Sequence, residues 1–338
     1  MKSIPVIVVG FGPVGQAFVR LMAEKANDLR GKYQLDLKLK AILRSSSTYF
    51  VQEPESLDLD SLEKINNPNY WQEKPSFDSL LNQTPPGVII EVTSSDLNTG
   101  QPGYDHIRTG LEKGWHVVTA NKGPLLLYFS ELKELASSKN LKLKFSGATA
   151  AALPALDIGQ ICLAGSRILK IEGILNGTTN YILTRMAEGL SYAEALCEAQ
   201  QKGIAERNPA YDVEGMDTAV KLALLAAALF DLKLNLKEME ITGITGISRE
   251  EVAQAISQGK KIKLLGSLSL DNESVKARVR PEMIASNHPL FWVDGSNKGL
   301  SFFTDTMGEL TITGGKSDPR GAAAAMLKDL INIYRSFG

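Results

Sequence analysis

Three glycines spaced G-x-G-x-x-G near the start of the chain sharply narrow the folds open to it. They follow a Val- and Ile-rich run at residues 4–9 and precede a helical pattern at residues 17–27. In this setting the first glycine permits a tight turn, the second lets a pyrophosphate approach the backbone, and the third lets helix and strand pack closely. The segment predicts a dinucleotide-binding turn rather than an ordinary strand-to-helix turn, since the helix N-terminus also attracts phosphate. The loop residues expected at the pyrophosphate are Gly10, Phe11, Gly12, Pro13, Val14 and Gly15.

The end of the second strand-like run, residues 35–43, indicates which nicotinamide cofactor is bound. An acidic residue at this position would bind the ribose 2′-hydroxyl and repel a 2′-phosphate. The chain has Arg44 and Ser45 there instead, followed by two more serines. A guanidinium and hydroxyls suit a 2′-phosphate, so we expect NADP, with NAD as the alternative. A solvent-facing Arg44 at a strand end is the other interpretation.

Alternating elements predict the fold class. Strand-like runs at residues 4–9, 35–43, 87–93, 115–119 and 142–145 alternate with helical patterns. The polar, proline-containing stretch 45–86 is expected to form loops and one or two short helices. This order predicts a parallel sheet covered on both faces. Residues 148–165 are expected to form one helix, and mixed helices and strands follow, so we predict an α/β protein with a Rossmann-like domain and a smaller α+β domain.

Charge and hydrophobicity exclude several classes of partner. The 338 residues include 37 Lys and Arg and 38 Asp and Glu, giving a net charge of −1, so neither nucleic acid nor a membrane surface is an expected partner. The longest apolar run, residues 222–230, is far shorter than the ~20 residues of a membrane span. With no signal-peptide pattern, a cytoplasmic protein is expected. The two cysteines are expected to be packing thiols, and no Cys or His spacing fits zinc.

One later segment combines acidic side chains with a lysine. Asp217 and Lys221 are four residues apart and therefore share one face of a helix that is otherwise apolar. Burial lowers the pKa of an ammonium and a nearby carboxylate raises it, so such a lysine can be set for proton transfer. Glu206, Asp212 and Glu214 add carboxylates in the preceding loop and suit a substrate ammonium group. The alternative is a surface ion pair.

Three motifs make the sequence resemble a known family. They are Thr93-Ser-Ser95 with Thr119-Ala-Asn-Lys-Gly123, then Asn176-Gly-Thr-Thr-Asn-Tyr181, and finally residues 203–221, which contain G-x-x-E and D-x-x-G-x-D-x-x-x-K. Together with the glycine-rich loop they closely resemble homoserine dehydrogenase, in order from residue 4 to about residue 230. A C-terminal regulatory domain, which some relatives carry, is not expected here.

The resemblance implies a reaction and a catalytic group. The reaction is reversible NADP(H)-dependent reduction of L-aspartate 4-semialdehyde to L-homoserine, in the biosynthesis of threonine, methionine and isoleucine. It implies that Lys221 is the general acid and base, that Asp217 orients it, and that Lys122 assists near cofactor and substrate. Thr93 and Ser94 are expected at the cofactor, which Lys122 also contacts.

The resemblance also implies binding residues and a division into domains. Glu206, Asp212 and Asp217 are expected to bind the substrate ammonium end. The turn of Asn176, Gly177 and Thr178 could hold its carboxylate or could simply cap a helix. Residues 1–146 are expected to bind the dinucleotide, 147–308 to bind substrate and form a homodimer, and 309–338 to return to the first domain.

Some positions depart from the family pattern. Family members often have a Gly-rich run before a Leu-Pro or Ile-Pro pair, and its carbonyls can hold a monovalent cation such as Na⁺ or K⁺. The corresponding carbonyls here belong to Ser146, Thr149, Ala151 and Leu153. The loop at residues 314–321 carries Lys316 and Arg320 in place of small residues, which leaves room for tight NADP binding. Alternative functions are another NADP-linked dehydrogenase of similar fold and a non-catalytic NADP-binding sensor.

Overall fold

The computed structural model describes residues 1–73, 75–271, 274–315 and 317–335. It divides into two compact units. The first contains Met1–Ala148 and the chain from Asp318 onward, and the second contains Thr149–Ser317. The chain was expected to leave the second unit at residue 309, but the segment up to residue 314 is a strand of the second unit's sheet. This segment pairs antiparallel with the strand Lys298–Thr304, and the backbone hydrogen bonds between the two strands hold it in the sheet.

The first unit is built on a seven-stranded sheet. Its elements are β1 (Lys2–Val9), α1 (Pro13–Glu24), α2 (Ala26–Tyr33), β2 (Leu35–Leu43), β3 (Ser47–Ser56), α3 (Ser61–Asn66), a 3₁₀ turn (Pro68–Tyr70), β4 (Trp71–Glu73), α4 (Phe77–Asn82), β5 (Val88–Glu91), α5 (Gly103–Glu112), β6 (His116–Thr119), α6 (Lys122–Ser138), β7 (Leu143–Lys144) and α7 (Ser146–Thr149), which runs into the second unit. The strand order is β4-β3-β2-β1-β5-β6-β7. Strands β2, β1, β5, β6 and β7 are adjacent in this order and pair in parallel, as the alternating pattern predicted. Strand β3 pairs antiparallel with both β2 and β4.

The central strand shows why the parallel sheet forms. Val6 and Val8 belong to one buried cluster with Phe18 of α1, while Ile7 packs on the opposite face with Ile107 of α5. A strand buried on both faces must be apolar at every position, and this explains the uninterrupted Val and Ile run. The strand at Ser47–Ser56 was expected to be a loop. It lies near the sheet edge, and only Thr48 and Tyr49 of its ten residues are fully buried, so its apolar signal is weak.

The second unit contains a six-stranded sheet of order β13-β12-β8-β10-β11-β9. Its elements are α8 (Ala155–Asp157), a π-helical turn (Ile158–Cys162), β8 (Ile168–Ile174), α9 (Gly177–Ala187), α10 (Tyr192–Gln201), α11 (Ala210–Val213), α12 (Met216–Phe230), β9 (Glu240–Ile241), α13 (Arg249–Ser257), β10 (Lys260–Asp271), β11 (Ser274–Ala285), β12 (Lys298–Thr304) and β13 (Glu309–Gly314). The chain then returns to the first unit as α14 (Pro319–Tyr334). Helices α9 and α12 pack against β10.

Two expectations for this half were wrong. Residues 148–165 do not form one helix, because Ala151 adopts a left-handed φ of 51° and breaks the helical path. Cys162 and Cys197 were expected to pack inside, but both are exposed. Among the described residues, no helix is long and apolar enough to cross a membrane.

Candidate active site

The glycine-rich turn of the first unit is shaped by close backbone contacts. Gly10 has a φ of 101°, and a Cβ there would lie 2.5 Å from the Val92 carbonyl oxygen. A Cβ on Gly15 would lie 2.3 Å from the Gly10 carbonyl oxygen. A Cβ on Gly12 would meet nothing within 4 Å. Gly10 and Gly15 therefore allow strand and helix to meet, and Gly12 keeps the surface above the turn open.

A cleft of about 580 Å³ opens at this turn, at the carboxyl ends of the parallel strands. Of the residues expected to bind the cofactor, it is lined by Gly10, Phe11, Gly12, Pro13, Val14, Arg44, Ser45, Thr93 and Ser94. Pro102 and His106, which sequence reasoning did not single out, also line it. Gly15 lies beneath the turn rather than in the lining. A cleft at this edge of the sheet is where doubly wound folds bind nucleotides.

Arg44 is held in place by two aromatic rings. Its guanidinium carbon lies 3.7 Å from the centroid of the Trp71 ring and 5.1 Å from that of Phe11. The indole nitrogen of Trp71 donates a hydrogen bond to the Ile65 carbonyl at 2.8 Å, which fixes the ring. Trp71 lies in β4, within the stretch expected to be loops, and no sequence signal connected it with Arg44.

A buried carboxylate fixes Thr93 at the other side of the cleft. Glu91 is fully buried at the end of β5. Its carboxylate accepts hydrogen bonds from the Thr93 hydroxyl and amide and from the Thr119 hydroxyl. The Asn121 side-chain amide donates to the Thr93 hydroxyl oxygen at 3.1 Å. Lys122 follows as the first residue of α6, and its backbone N–H donates to Ser95 Oγ at 3.0 Å.

The second unit brings Asn176, Asp212, Asp217 and Lys221 together. The Lys221 ammonium lies 2.6 Å from Asp217 Oδ2 and donates a second hydrogen bond to the Leu175 carbonyl at 3.0 Å. Asn176 Nδ2 donates to Asp212 Oδ1 at 2.7 Å and to Asp217 Oδ2 at 2.8 Å. Asp217 and Asn176 are each only 4% exposed. We call these four side chains the Lys221 cluster.

The surroundings of Asp212 in the Lys221 cluster raise the pKa of its carboxyl group. Burial raises the pKa of Asp212, and the nearby charge of Asp217 raises it further. The hydrogen bond from Asn176 and the charge of Lys221 act in the opposite direction. The cluster therefore places two carboxylates beside one ammonium, with a single amide bridging them.

Comparison with known proteins identifies the family. The homoserine dehydrogenase NAD-binding domain matches residues 10–146, and the homoserine dehydrogenase domain matches residues 154–331. The homoserine dehydrogenase of Methanocaldococcus jannaschii is 37% identical over 98% of each chain. The NAD(+)-dependent homoserine dehydrogenase of Pseudomonas canavaninivorans is 32% identical over 99% of this chain and 97% of its own. The crystal structure of a putative homoserine dehydrogenase from Archaeoglobus fulgidus superposes with a TM-score of 0.86 at 32% identity, covering 98% of this chain and all of the other.

The chain belongs to the homoserine dehydrogenase family. It is therefore an NAD(P)-dependent oxidoreductase that acts on the CH–OH group of homoserine. The family, the fold class and the enzyme class expected from the sequence are all confirmed. Family membership alone does not assign roles to the individual site residues.

Some residues expected to bind substrate have other contacts in this homoserine dehydrogenase. Asn176 Oδ1 accepts a hydrogen bond from the Thr179 amide at 2.9 Å, so Asn176 caps α9 while its Nδ2 bridges the two aspartates. The Thr178 hydroxyl donates to the Ile204 carbonyl at 3.0 Å. A Cβ on Gly177 would lie 2.7 Å from the Ser296 carbonyl oxygen. Glu206 is exposed, outside the Lys221 cluster.

The residues whose carbonyls are expected to bind a monovalent cation have several other contacts. The Leu153 carbonyl accepts a hydrogen bond from the Ala155 amide at 2.8 Å. Ser146 belongs to the first unit, where its amide and hydroxyl donate to the Asp329 carboxylate. The carbonyl between Thr149 and Ala151, that of Ala150, accepts a hydrogen bond from a buried lysine ammonium. The monovalent-cation site stays a prediction, and no step of the reaction is assigned to a cation.

The loop at residues 314–321 was expected to affect cofactor binding through Lys316 and Arg320. Lys316 lies outside the described residues. Arg320 forms an ion pair with Glu24 of α1, with 2.6 Å between Nη2 and Oε2. Arg320 also lines a second cleft of about 420 Å³, together with Phe11 and Pro13. In this arrangement, the Arg320 charge is already partnered within the first unit.

Proposed function

We propose that the Lys221 cluster is the proton-transfer group for the interconversion of L-aspartate 4-semialdehyde and L-homoserine. The observation that carries this proposal is the position of the Lys221 ammonium, held between the Asp217 carboxylate and the Leu175 carbonyl. The Lys221 side chain retains 15% exposure, and the two hydrogen bonds fix the direction of its ammonium group. A lysine that is oriented in this way by a buried carboxylate can act as a general acid and base.

The chain's own groups handle the substrate oxygen. A bound nicotinamide supplies the hydride in reduction and takes it up in oxidation. As the carbonyl is reduced, negative charge develops on its oxygen, and Lys221 donates a proton to that oxygen. In the reverse direction the neutral amine of Lys221 accepts the hydroxyl proton, and Asp217 stabilises the resulting ammonium. Lys122 is assigned to polarise the carbonyl, a role that the family resemblance supports.

We assign the remaining polar residues to the amino-acid end of the substrate. Asp212 and Glu206 are the proposed partners of the substrate ammonium, with Asp217 completing the acidic group. The backbone of Gly177 and Thr178 at the start of α9 is the proposed partner of the carboxylate. Asn176 acts as a positioning residue, because its amide already bridges Asp212 and Asp217.

The preferred cofactor is proposed to be NADP. Arg44 and Ser45 line the cleft at the end of β2, where a 2′-phosphate would meet a guanidinium and a hydroxyl rather than a carboxylate. The family name does not decide this, since the Pseudomonas relative is described as NAD(+)-dependent. The first unit is the proposed cofactor domain, and the second is the proposed substrate and dimerisation domain. The homodimer and the cytoplasmic location stay predictions.

A substrate comparison tests the proposal. Purified protein is assayed with NADP⁺ or NAD⁺ and with L-homoserine, or with 4-hydroxybutyrate, which lacks the amino group. We expect oxidation of L-homoserine with NADP⁺ at a higher kcat/KM than with NAD⁺, and at least a hundredfold lower kcat/KM with 4-hydroxybutyrate, because unpaired carboxylates would remain at the site. Equal kcat/KM values for the two substrates would contradict the roles of Asp212 and Glu206.

A further inference from the structure

The loop between α10 and α11 carries Glu206, one of the proposed partners of the substrate ammonium. Glu206 is exposed, so packing does not confine its carboxylate as it confines that of Asp217. Ordering a mobile loop on binding costs conformational entropy and weakens the affinity for the ligand. The contacts that hold the backbone of this loop therefore bear on how well the protein recognises the amino group of its substrate.

The first part of the loop is held by backbone groups and by one hydroxyl. The amides of Ile204 and Ala205 both donate to the Ala199 carbonyl of α10, at 2.8 and 3.1 Å. The Ala205 residue is only 7% exposed, so it anchors the loop in the second unit. The Thr178 hydroxyl donates to the Ile204 carbonyl at 3.0 Å. These contacts fix the chain up to Ala205, one residue before Glu206.

A glutamine side chain of α10 holds the next two residues. Gln200 Nε2 donates to the Glu206 carbonyl at 3.1 Å and to the Arg207 carbonyl at 3.4 Å. A side-chain amide nitrogen carries two N–H donors, and its partners here are two consecutive backbone carbonyls, which can only accept. Gln200 is half-buried and lies in the last turn of α10, so the helix gives its side chain a fixed base.

We propose that Gln200 is a positioning residue that sets Glu206 for the substrate ammonium. Its amide holds the two peptide units that follow the Glu206 Cα and so fixes the backbone from which the carboxylate projects. The same loop is tied at Ile204 to Thr178, whose backbone is a proposed partner of the substrate carboxylate. Gln200 and Thr178 thereby set the distance between the groups proposed for the two ends of the amino acid. This inference rests on the proposed function, in which Glu206 binds the ammonium group.

Two substrates separate positioning from folding. With L-homoserine, Gln200→Met should raise KM about 3–10-fold, equivalent to one lost neutral hydrogen bond, and change kcat by less than about twofold. Methionine keeps the length of glutamine and loses both donors. With 4-hydroxybutyrate, which has no ammonium for Glu206 to bind, kcat/KM should stay within about twofold of wild type. A general loss of structure would instead lower kcat/KM for both substrates.

Gln201→Met is the matched control. Gln201 is the next residue of α10, it is exposed, and its amide donates to Cys197 Sγ within the same helix. Its replacement should leave kcat/KM for both substrates within about twofold of wild type. Gln200→Asn is a second test of the same amide, since asparagine keeps both donors but is one methylene shorter. We expect it to raise the KM for homoserine as Gln200→Met does, and thermal unfolding shows that each variant is folded.

Glu206→Gln distinguishes a failure of this inference from a failure of the proposed function. It should raise the KM for homoserine at least as much as Gln200→Met, and the double variant should match Glu206→Gln alone, because Gln200 acts through Glu206. If only Glu206→Gln raises KM, or if the two effects multiply in the double variant, the inference is wrong and the role of Glu206 stands.

Two other outcomes are also decisive. An unchanged KM in Glu206→Gln would remove Glu206 from the ammonium site and overturn the inference with it. An equal fall of kcat/KM for both substrates in Gln200→Met would give Gln200 a purely structural role and overturn the inference alone.

Discussion

The cofactor cleft and the Lys221 cluster are built from different parts of the chain. The cleft is shaped mainly by backbone: Gly10 and Gly15 allow β1, β5 and α1 to meet, and Gly12 leaves open surface. The Lys221 cluster is shaped by the residue that caps α9 and by side chains of α11 and α12, which hydrogen-bond to one another. A site that is shaped by the backbone tolerates few added side-chain atoms. A site that is shaped by side chains depends on which group donates a hydrogen bond to which acceptor. We therefore expect variants in the cleft to alter cofactor binding and variants in the Lys221 cluster to alter proton transfer.

The largest effect is expected at the side-chain-built site. Lys221→Ala should lower kcat for homoserine oxidation by roughly 10²–10⁴, the range of general acid–base catalysis. The dissociation constant for NADP⁺ should stay within twofold, because Lys221 belongs to the second unit and the cleft to the first. Steady-state kinetics and cofactor titration measure the two quantities. Lys233→Ala, at an exposed lysine of the same unit, is the control, and a Lys221→Ala enzyme with wild-type kcat would remove Lys221 from the mechanism.

The next test concerns the backbone-built site. Gly15→Ala should lower the free energy of unfolding by about 3 kcal/mol, because its Cβ would press on the Gly10 carbonyl oxygen. Gly12→Ala should leave stability nearly unchanged, since no atom lies within 4 Å of its Cβ, yet weaken NADP⁺ binding roughly tenfold by occupying the pyrophosphate approach. Urea unfolding and cofactor titration separate the two effects. Unchanged NADP⁺ binding in Gly12→Ala would show that the open surface at Gly12 is not a binding surface.

The cofactor preference should depend on Arg44. Arg44→Ala should weaken NADP⁺ binding by roughly 10–100-fold, the value of one or two charge-assisted hydrogen bonds, and change NAD⁺ binding little. Trp71→Leu should weaken NADP⁺ binding only a few-fold, because it removes the ring that holds the guanidinium. In the Arg44→Ala background, Trp71→Leu should have no further effect. A full additional loss in the double variant would mean that Trp71 contacts the cofactor by itself.

These two sites also differ in how far the sequence predicted them. Glycine spacing reports backbone geometry directly, and the residues from Gly10 to Val14 do line the cleft. The i,i+4 spacing of Asp217 and Lys221 likewise predicted their ion pair. The bridging by Asn176 was not predictable, because it depends on α9 and α12 meeting in space. Trp71 was missed because its strand was expected to be a loop. The burial of Lys263 in β10 was not predictable either, because only the tertiary fold brings its partners Asn180 and Asp294 to it.

The smallest expected effect is a pH dependence of stability at Asp212. The folded-state pKa of Asp212 is raised, chiefly by burial. Its protonated form is therefore favoured in the folded state, and this contribution is fully present below the unfolded-state pKa and is lost as the pH rises through the folded-state pKa. Asp212→Asn should thus increase the free energy of unfolding at neutral pH, by about 1 kcal/mol, the usual size of single-residue effects, with the increase shrinking as the pH falls below the raised pKa. Urea unfolding across this pH range, beside the exposed control Glu250→Gln, measures the difference. If Asp212→Asn were destabilising at neutral pH, the charged carboxylate would instead be a net stabilising partner of Asn176 and Lys221, and the cluster would be held together by charge rather than by the bridging amide.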